Sequence, residues 1–236
     1  MIKAILFDLD GTLLPMDQDV YTKNYMKGLV KKLSPNDLTK GNNIIESVWK
    51  GFEGMVRNDG KRSNEDVFFE IFSQNLDKSI VYDLELFEDY YKNEYQVIKG
   101  FCGYNEKAKV VIDLLKEKGY KLILATNPVF PRIATESRVK WAGLDVNDFD
   151  YITTYEDCYH SKPNPEYYLE IANKQKIDPK ECLMVGNDVR EDMVAEKVGM
   201  KVFLLTDCLI NKDGQDIEKY PNGDFDKLIE FLKNEI

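Results

Sequence analysis

The sequence predicts an α/β fold: a Rossmann-like, mostly parallel sheet with helices on both faces, plus an inserted all-α segment. Three observations predict it. Five short apolar runs, at 3–7, 121–125, 151–154, 183–185 and 202–205, read as strands. Several are continuous rather than alternating, as in central strands covered on both faces. Helical patterns separate the later runs, and strand–helix alternation implies a parallel sheet. The stretch from Met16 to about Ile98 has no strand-like run and is full of helical periodicity. Residues 1–15 and 99–236 are therefore read as the core and 16–98 as the insert.

The first strand, 3–7, ends in Asp8-Leu9-Asp10-Gly11-Thr12. Beyond Pro15 the insert reads as about four helices. Ser34-Pro35 predicts a helix start, with Ser34 as N-cap and Pro35 in first position. Gly60 breaks the chain, and Ser63 with Asp66 resembles a capping box. Phe87, Tyr91 and Tyr95 recur every four residues, a stripe that faces a helical core. Gly100 and Gly103 lie where the chain returns to the sheet, so they and Pro15 are expected hinges. A helix over 107–118 follows, with Asn105 as N-cap and Gly119 as stop. Helices over 131–141 and 165–175 each carry proline near the first turn. Another is expected over 190–198, ended by Gly199, and a last one over 225–234 closes the core. There is no internal repeat and no low-complexity segment.

Composition narrows the function classes. The chain has 236 residues, 43% hydrophobic, and a net charge of −10. That is enough apolar material for a real core. The acidic balance argues against nucleic acid, which requires a basic surface, and against an anionic membrane. No apolar run approaches membrane-spanning length. The four cysteines, Cys102, Cys158, Cys182 and Cys208, form no CxxC pair and no zinc spacing with the single histidine, His160. Free thiols and a start that runs from Met1-Ile2-Lys3-Ala4 straight into a strand, with no signal peptide, fit a cytoplasmic protein. Nothing in the sequence fixes the oligomeric state.

The chemistry collects at strand ends, where open α/β sheets bind ligands. Asp8 and Asp10 can share one orientation only if regular pairing stops there and the backbone coils, which Gly11 permits. Two crowded carboxylates repel unless a cation or a proton intervenes, so the pair points to a metal site or to an acid beside a nucleophile. The second strand ends in Thr126-Asn127-Pro128, whose hydroxyl and amide can donate to an oxyanion. Ser161-Lys162-Pro163 precedes a helix start. The fourth strand ends in Gly186-Asn187-Asp188, with Asp192 one turn further on. Acids suggest a hard divalent cation; hydroxyl, amide and ammonium suggest a phosphoryl group. Together they suggest metal-assisted phosphoryl transfer.

In order, these four segments resemble the signature motifs of the haloacid dehalogenase (HAD) superfamily: Asp8-Leu9-Asp10-Gly11-Thr12, then Thr126-Asn127, then Lys162-Pro163, then Gly186-Asn187-Asp188 with Asp192. The helical insert is similar to a type C1 cap domain, so the resemblance covers the whole chain. It implies a phosphatase acting on a small phosphorylated metabolite. Asp8 would be the nucleophile that forms an aspartyl phosphate. Asp10 would protonate the leaving alcohol and later take a proton from water. Asp8 and Asp188, with the backbone carbonyl of Asp10, would hold Mg²⁺. Asp192 would orient metal-bound water or Lys162 from behind. Thr126, Asn127 and Lys162 would hold the phosphate.

Asp10 separates the branches. Dehalogenases of the superfamily lack this second aspartate, because a halide needs no proton. Phosphonatases use a cap lysine as an amine; Lys23, Lys27, Lys50 and Lys61 are in the insert, and nothing marks one as buried. Mutases typically carry a histidine soon after the first motif, whereas His160 lies in the core. A non-catalytic phosphate-binding module would have no need of Asp10. His160 is given no role, and Arg132 and the Lys31-Lys32 pair are read as solvated helix ends. Trp49, Phe52, Arg57 and Arg62 are read as surface or packing residues.

Overall fold

The structure, a computed structural model, describes residues 1–234. Six parallel strands form one sheet in the order β3-β2-β1-β4-β5-β6. These are β1 Ala4–Phe7, β2 Lys121–Leu124, β3 Tyr151–Ile152, β4 Cys182–Gly186, β5 Lys201–Leu205 and β6 Asn222–Gly223. The strand runs are unbroken in hydrophobicity because both faces are covered. Ile5, Phe7, Leu122, Leu124, Leu183 and Val185 pack into one apolar cluster. Their alternates Ala4, Leu6, Ile123, Cys182 and Met184 pack into another. The sixth strand was not expected. It is two residues long and lies at the sheet edge, so it carries no apolar run to betray it.

Register decides where the chemistry falls. Phe7 stands opposite Leu124 in β2 and Val185 in β4. The three central strands therefore end level, and the residues after them emerge side by side.

The core helices are α5 Glu106–Glu117, α6 Arg132–Trp141, α7 Pro165–Gln175 and α8 Phe225–Asn234. Asn105 caps α5 by accepting from Lys107 N, and Gly119 follows it with φ +77°. The helix expected over 190–198 is instead a 3₁₀ helix, Met193–Val198, after an irregular stretch. The Asp188 carboxylate accepts from the N–H groups of Arg190 and Glu191, at 2.7 and 2.9 Å, as an N-cap does, but only one wide turn follows, Asp192 N to Asp188 O at 2.9 Å, before Ala195 N bonds to Asp192 O and the pairing tightens.

Between β1 and α5 lie α1 Gln18–Leu33, α2 Gly41–Val56, α3 Asn64–Asn75 and α4 Leu84–Lys92, then a 3₁₀ segment, Glu94–Phe101. Ser34-Pro35 does not start a helix. Asp17 has already capped α1, and Ser34 is its C-cap, with N–H bonded to Val30 O. The Ser34 hydroxyl then bonds to Asp37 O at 2.8 Å and closes a turn. Ser63 does cap α3, accepting from Asp66 N. Phe87 and Tyr91 lie on α4 and Tyr95 on the 3₁₀ segment; all three are buried. Where the chain leaves and re-enters the core, Gly103 N donates to Pro15 O at 2.7 Å, and Met16 bridges Cys102. All four cysteines are free thiols, and among the described residues no helix is long and apolar enough to cross a membrane.

Candidate active site

The last ladder bond of β1 runs from Asp8 N to Val185 O, 2.9 Å. Then Leu9 O accepts from both Thr12 N and Leu14 N, and the chain coils. Gly11 has φ +93°, and a Cβ there would stand 2.4 Å from Asn187 Nδ2. No larger residue fits that approach. Thr12 Oγ1 donates to Asn187 Oδ1 at 3.0 Å, which ties the turn after β1 to the turn after β4.

Lys162 is wholly buried. Its Nζ lies 2.9 Å from Asp8 Oδ1 and 2.6 Å from Asp192 Oδ1. Burial alone would drive the proton off; Asp192 and then Asp8 reverse that and hold the ammonium well above the ordinary lysine value. Asp192 Oδ2 accepts from Asp188 N at 2.9 Å, so the carboxylate holds the lysine with one oxygen and the β4 turn with the other. The Lys162–Pro163 peptide is cis.

Asp10 turns the other way. Its Oδ2 pairs with Arg138 Nη1 at 3.1 Å, and its carbonyl accepts from Gln18 Nε2 at 2.9 Å. Its Oδ1 is buried without a partner. Arg138 is fully buried, donates to Tyr21 Oη at 3.1 Å and Thr135 Oγ1 at 3.2 Å, and lies 4.4 Å over the Phe130 ring. Burial pushes the Asp10 carboxyl up to about 6, against the pull of Arg138 and with Asp8 adding to the rise. Sequence reasoning missed Arg138. The available signal was its spacing: Ala134, Arg138 and Trp141 share the buried face of α6.

The turn after β2 is fixed from below. Thr126 O accepts from Thr153 Oγ1 at 2.7 Å and Tyr167 Oη at 2.8 Å. Asn127 Nδ2 donates to Glu191 Oε2 at 3.0 Å, while Asn127 Oδ1 is buried and unpartnered. Glu191 was also not foreseen; burial raises its carboxyl above the usual range.

Asp8, Asp10, Thr126, Asn127, Asp188 and Asp192 all line one cleft of about 1130 Å³, and Lys162 reaches it through Asp8 and Asp192. Lys23, Lys27 and Lys31, spaced one turn apart on α1, line it with Lys212, together with the acids Asp19 and Glu191. Arg132 is outside the cleft and pairs with Asp157 at 2.6 Å. His160 pairs with Glu170 at 2.9 Å. Arg57 and Arg62 pair with Glu53 and Glu70 on the insert's surface. Trp49 and Phe52, by contrast, line the cleft. Lys32, read as solvated, is held by Asp89 and Glu94.

The residues fit a hard divalent ion. Asp8 is pinned through Oδ1 by Lys162 and Asp188 through Oδ1 by two backbone N–H groups, so each keeps a second carboxylate oxygen for a metal. The Asp10 carbonyl, which already accepts from Gln18, can add an oxygen through its second lone pair. Among the described residues no group of three His, Cys, Asp or Glu side chains stands together. Two carboxylates and a carbonyl would leave coordination positions for waters and substrate, as a hard divalent ion that keeps part of its water shell requires.

The haloacid dehalogenase-like hydrolase family matches residues 2–199. The chain is 28% identical over 204 residues to a phosphoglycolate phosphatase of Nitrosospira multiformis, covering 86% of this chain and 82% of that one. It is 25% identical over 226 residues to a glyceraldehyde 3-phosphate phosphatase of Methanothermobacter thermautotrophicus, covering 93% and 92%. Its fold matches a HAD phosphatase structure from Thermococcus onnurineus with a TM-score of 0.61, at 23% identity and 99% coverage of both chains.

Proposed function

The chain belongs to the haloacid dehalogenase-like hydrolase family and is a phosphatase, and on that premise we propose that it is Mg²⁺-dependent, hydrolyses a small phosphorylated metabolite and works through an aspartyl phosphate on Asp8. The observation that carries the reading is the Lys162 ammonium bridging Asp8 and Asp192 at the floor of the cleft. It fixes the orientation of the Asp8 carboxylate, so that one oxygen can attack phosphorus while the other faces the ion.

As that Asp8–phosphorus bond forms, the ester oxygen departs and takes the Asp10 proton. A carboxyl raised to about 6 suits a group that must give and then take a proton. Water then attacks the acyl phosphate, losing its proton to Asp10, and Asp8 is regenerated with inorganic phosphate. The Thr126 hydroxyl and the Asn127 N–H hold phosphate oxygens, while Lys162 offsets their charge. Asp8, Asp188 and the Asp10 carbonyl would hold Mg²⁺, which when bound supplies neutralising charge at the phosphate. Asp192 acts through Lys162 and the Asp188 turn. Residues 16–98 serve as a cap over the core, 1–15 and 99–236, and their movement at Pro15, Gly100 and Gly103 opens and closes the cleft.

The test is phosphate release from a panel of phosphomonoesters, with and without Mg²⁺. Turnover should need the ion and be absent in Asp8→Asn. Equal rates for wild type and Asp8→Asn would reject the proposal.

A further inference from the structure

A line of aromatic rings runs from Asp10 to the mouth of the cleft. Arg138, paired with Asp10, lies 4.4 Å over the Phe130 ring. Phe130 meets Phe52 at 5.7 Å between centroids, and Phe52 meets Trp49 at 5.7 Å. All three rings line the cleft. Phe130 is nearly buried, Phe52 is partly covered, and Trp49 is 45% exposed, so the ladder becomes more accessible outward. Leu38, 65% exposed, and Val56, 39% exposed, line the same mouth. Exposed apolar side chains scattered singly need no explanation, but several that line one cleft with polar residues do.

We infer that the substrate is a phosphomonoester whose alcohol carries a ring-sized apolar group, laid along Phe130, Phe52 and Trp49. The inference rests on the phosphatase reading above and deepens it. Asp10 must face the ester oxygen to protonate it, so the alcohol begins where the ladder begins. A two- or three-carbon hydroxy acid or aldehyde would touch only the polar floor and leave most of a cleft of about 1130 Å³ to water. A ring-sized group removes that apolar wall from solvent, and binding energy gained away from the reacting bond can be used in the transition state. Lys23 and Lys27 on α1 line the same cleft and attract a phosphate dianion.

The experiment compares kcat/KM for 2-phenylethyl phosphate, ethyl phosphate and glycerol 3-phosphate, whose leaving alcohols have similar intrinsic reactivity. The phenylethyl ester should be favoured over both by at least about tenfold. Trp49→Ala and, separately, Leu38→Ala should each reduce that ratio; both positions are exposed, and circular dichroism checks that the fold is intact. A ratio near one, with all three esters hydrolysed, overturns the inference and leaves the phosphatase standing. No ion-dependent phosphate release from any ester overturns both. Sedimentation velocity addresses the other occupant: if Trp49→Ala converts a dimer to monomer while the ratio is unmoved, a second copy covers the patch and the inference falls.

Discussion

Arg138 Nη1 lies 3.1 Å from Asp10 Oδ2, with the guanidinium wholly out of solvent. The pair joins α6 to the turn after β1, and through Tyr21 and Tyr95, 2.6 Å apart at their hydroxyls, it reaches both ends of the helical insert. Removing one member of a buried ion pair strands the other.

Arg138→Met should therefore cost roughly 3–5 kcal/mol at pH 7. Arg138→Met combined with Asp10→Asn should recover part of that loss, because no uncompensated carboxylate remains. Urea unfolding of both single variants and the double variant measures the coupling. Strict additivity would show that the pair contributes nothing.

Asp192 touches Lys162 and Asp188 N and is assigned a positioning role. Asp192→Asn should lower kcat by roughly 10²–10³, the scale for losing one oriented electrostatic partner. Lys162→Met should do at least as much, since it leaves Asp8 and Asp192 facing each other. Steady-state kinetics on any turned-over ester reads both. Unchanged kcat in Asp192→Asn would show that Lys162 needs no support.

Chelation should abolish turnover and Mg²⁺ should restore it. A readout independent of activity is thermal stability: an ion present at about 100 times its Kd stabilises the native state by about 2.7 kcal/mol. That shift should vanish in Asp188→Asn. A full shift in the variant would place the ion elsewhere.

Asp148 offers a pH test away from the cleft. Its side chain is 6% exposed and pairs with Lys116, lies 3.9 Å from Lys109, and accepts from Asp145 N at 3.1 Å. Burial works to raise its carboxyl, but Lys116 and the Asp145 N–H prevail and hold it below the usual carboxylate range. A value depressed in the folded state gives stability that is complete above the unfolded value, near 3.9, and is lost as pH falls through the folded one. Asp148→Asn should cost about 1–2 kcal/mol at pH 7, and the difference should shrink towards pH 2. Parallel urea titrations check this; a gap that widens in acid contradicts it.

The parts of the fold set by side-chain burial were readable in advance. The strands β1, β2, β4 and β5 announced themselves as apolar runs because the sheet is covered on both faces, and α7 and α8 fell at 165–175 and 225–234 as spaced. Elements decided by competition between local hydrogen bonds were not. Ser34-Pro35 has the composition of a helix start, yet Asp17 upstream had already set the helix that Ser34 ends. Residues 190–198 start from an Asp188 cap, yet Ala195 N bonds to Asp192 O and the segment runs on as 3₁₀. At the cleft, Asp8, Lys162, Asp188 and Asp192 could be named because strand order brings their turns together. Arg138 could not, because an arginine on a helix ordinarily lies in water; its partner Asp10 is far away in sequence and near only through the fold.

The adjoining strands of chain at Pro15–Met16 and Cys102–Gly103 carry a last consequence. A segment that enters and leaves at one spot is topologically a detachable module: its length does not alter the register of β1 with β2 or β4. Yet Tyr95 packs on Trp141 at 5.0 Å and Tyr25 on Phe130 at 5.2 Å, across the seam. A chimera that grafts another protein's helices onto this sheet must therefore bring matching partners for Phe130 and Trp141, or it will expose two aromatic rings where the donor expected none.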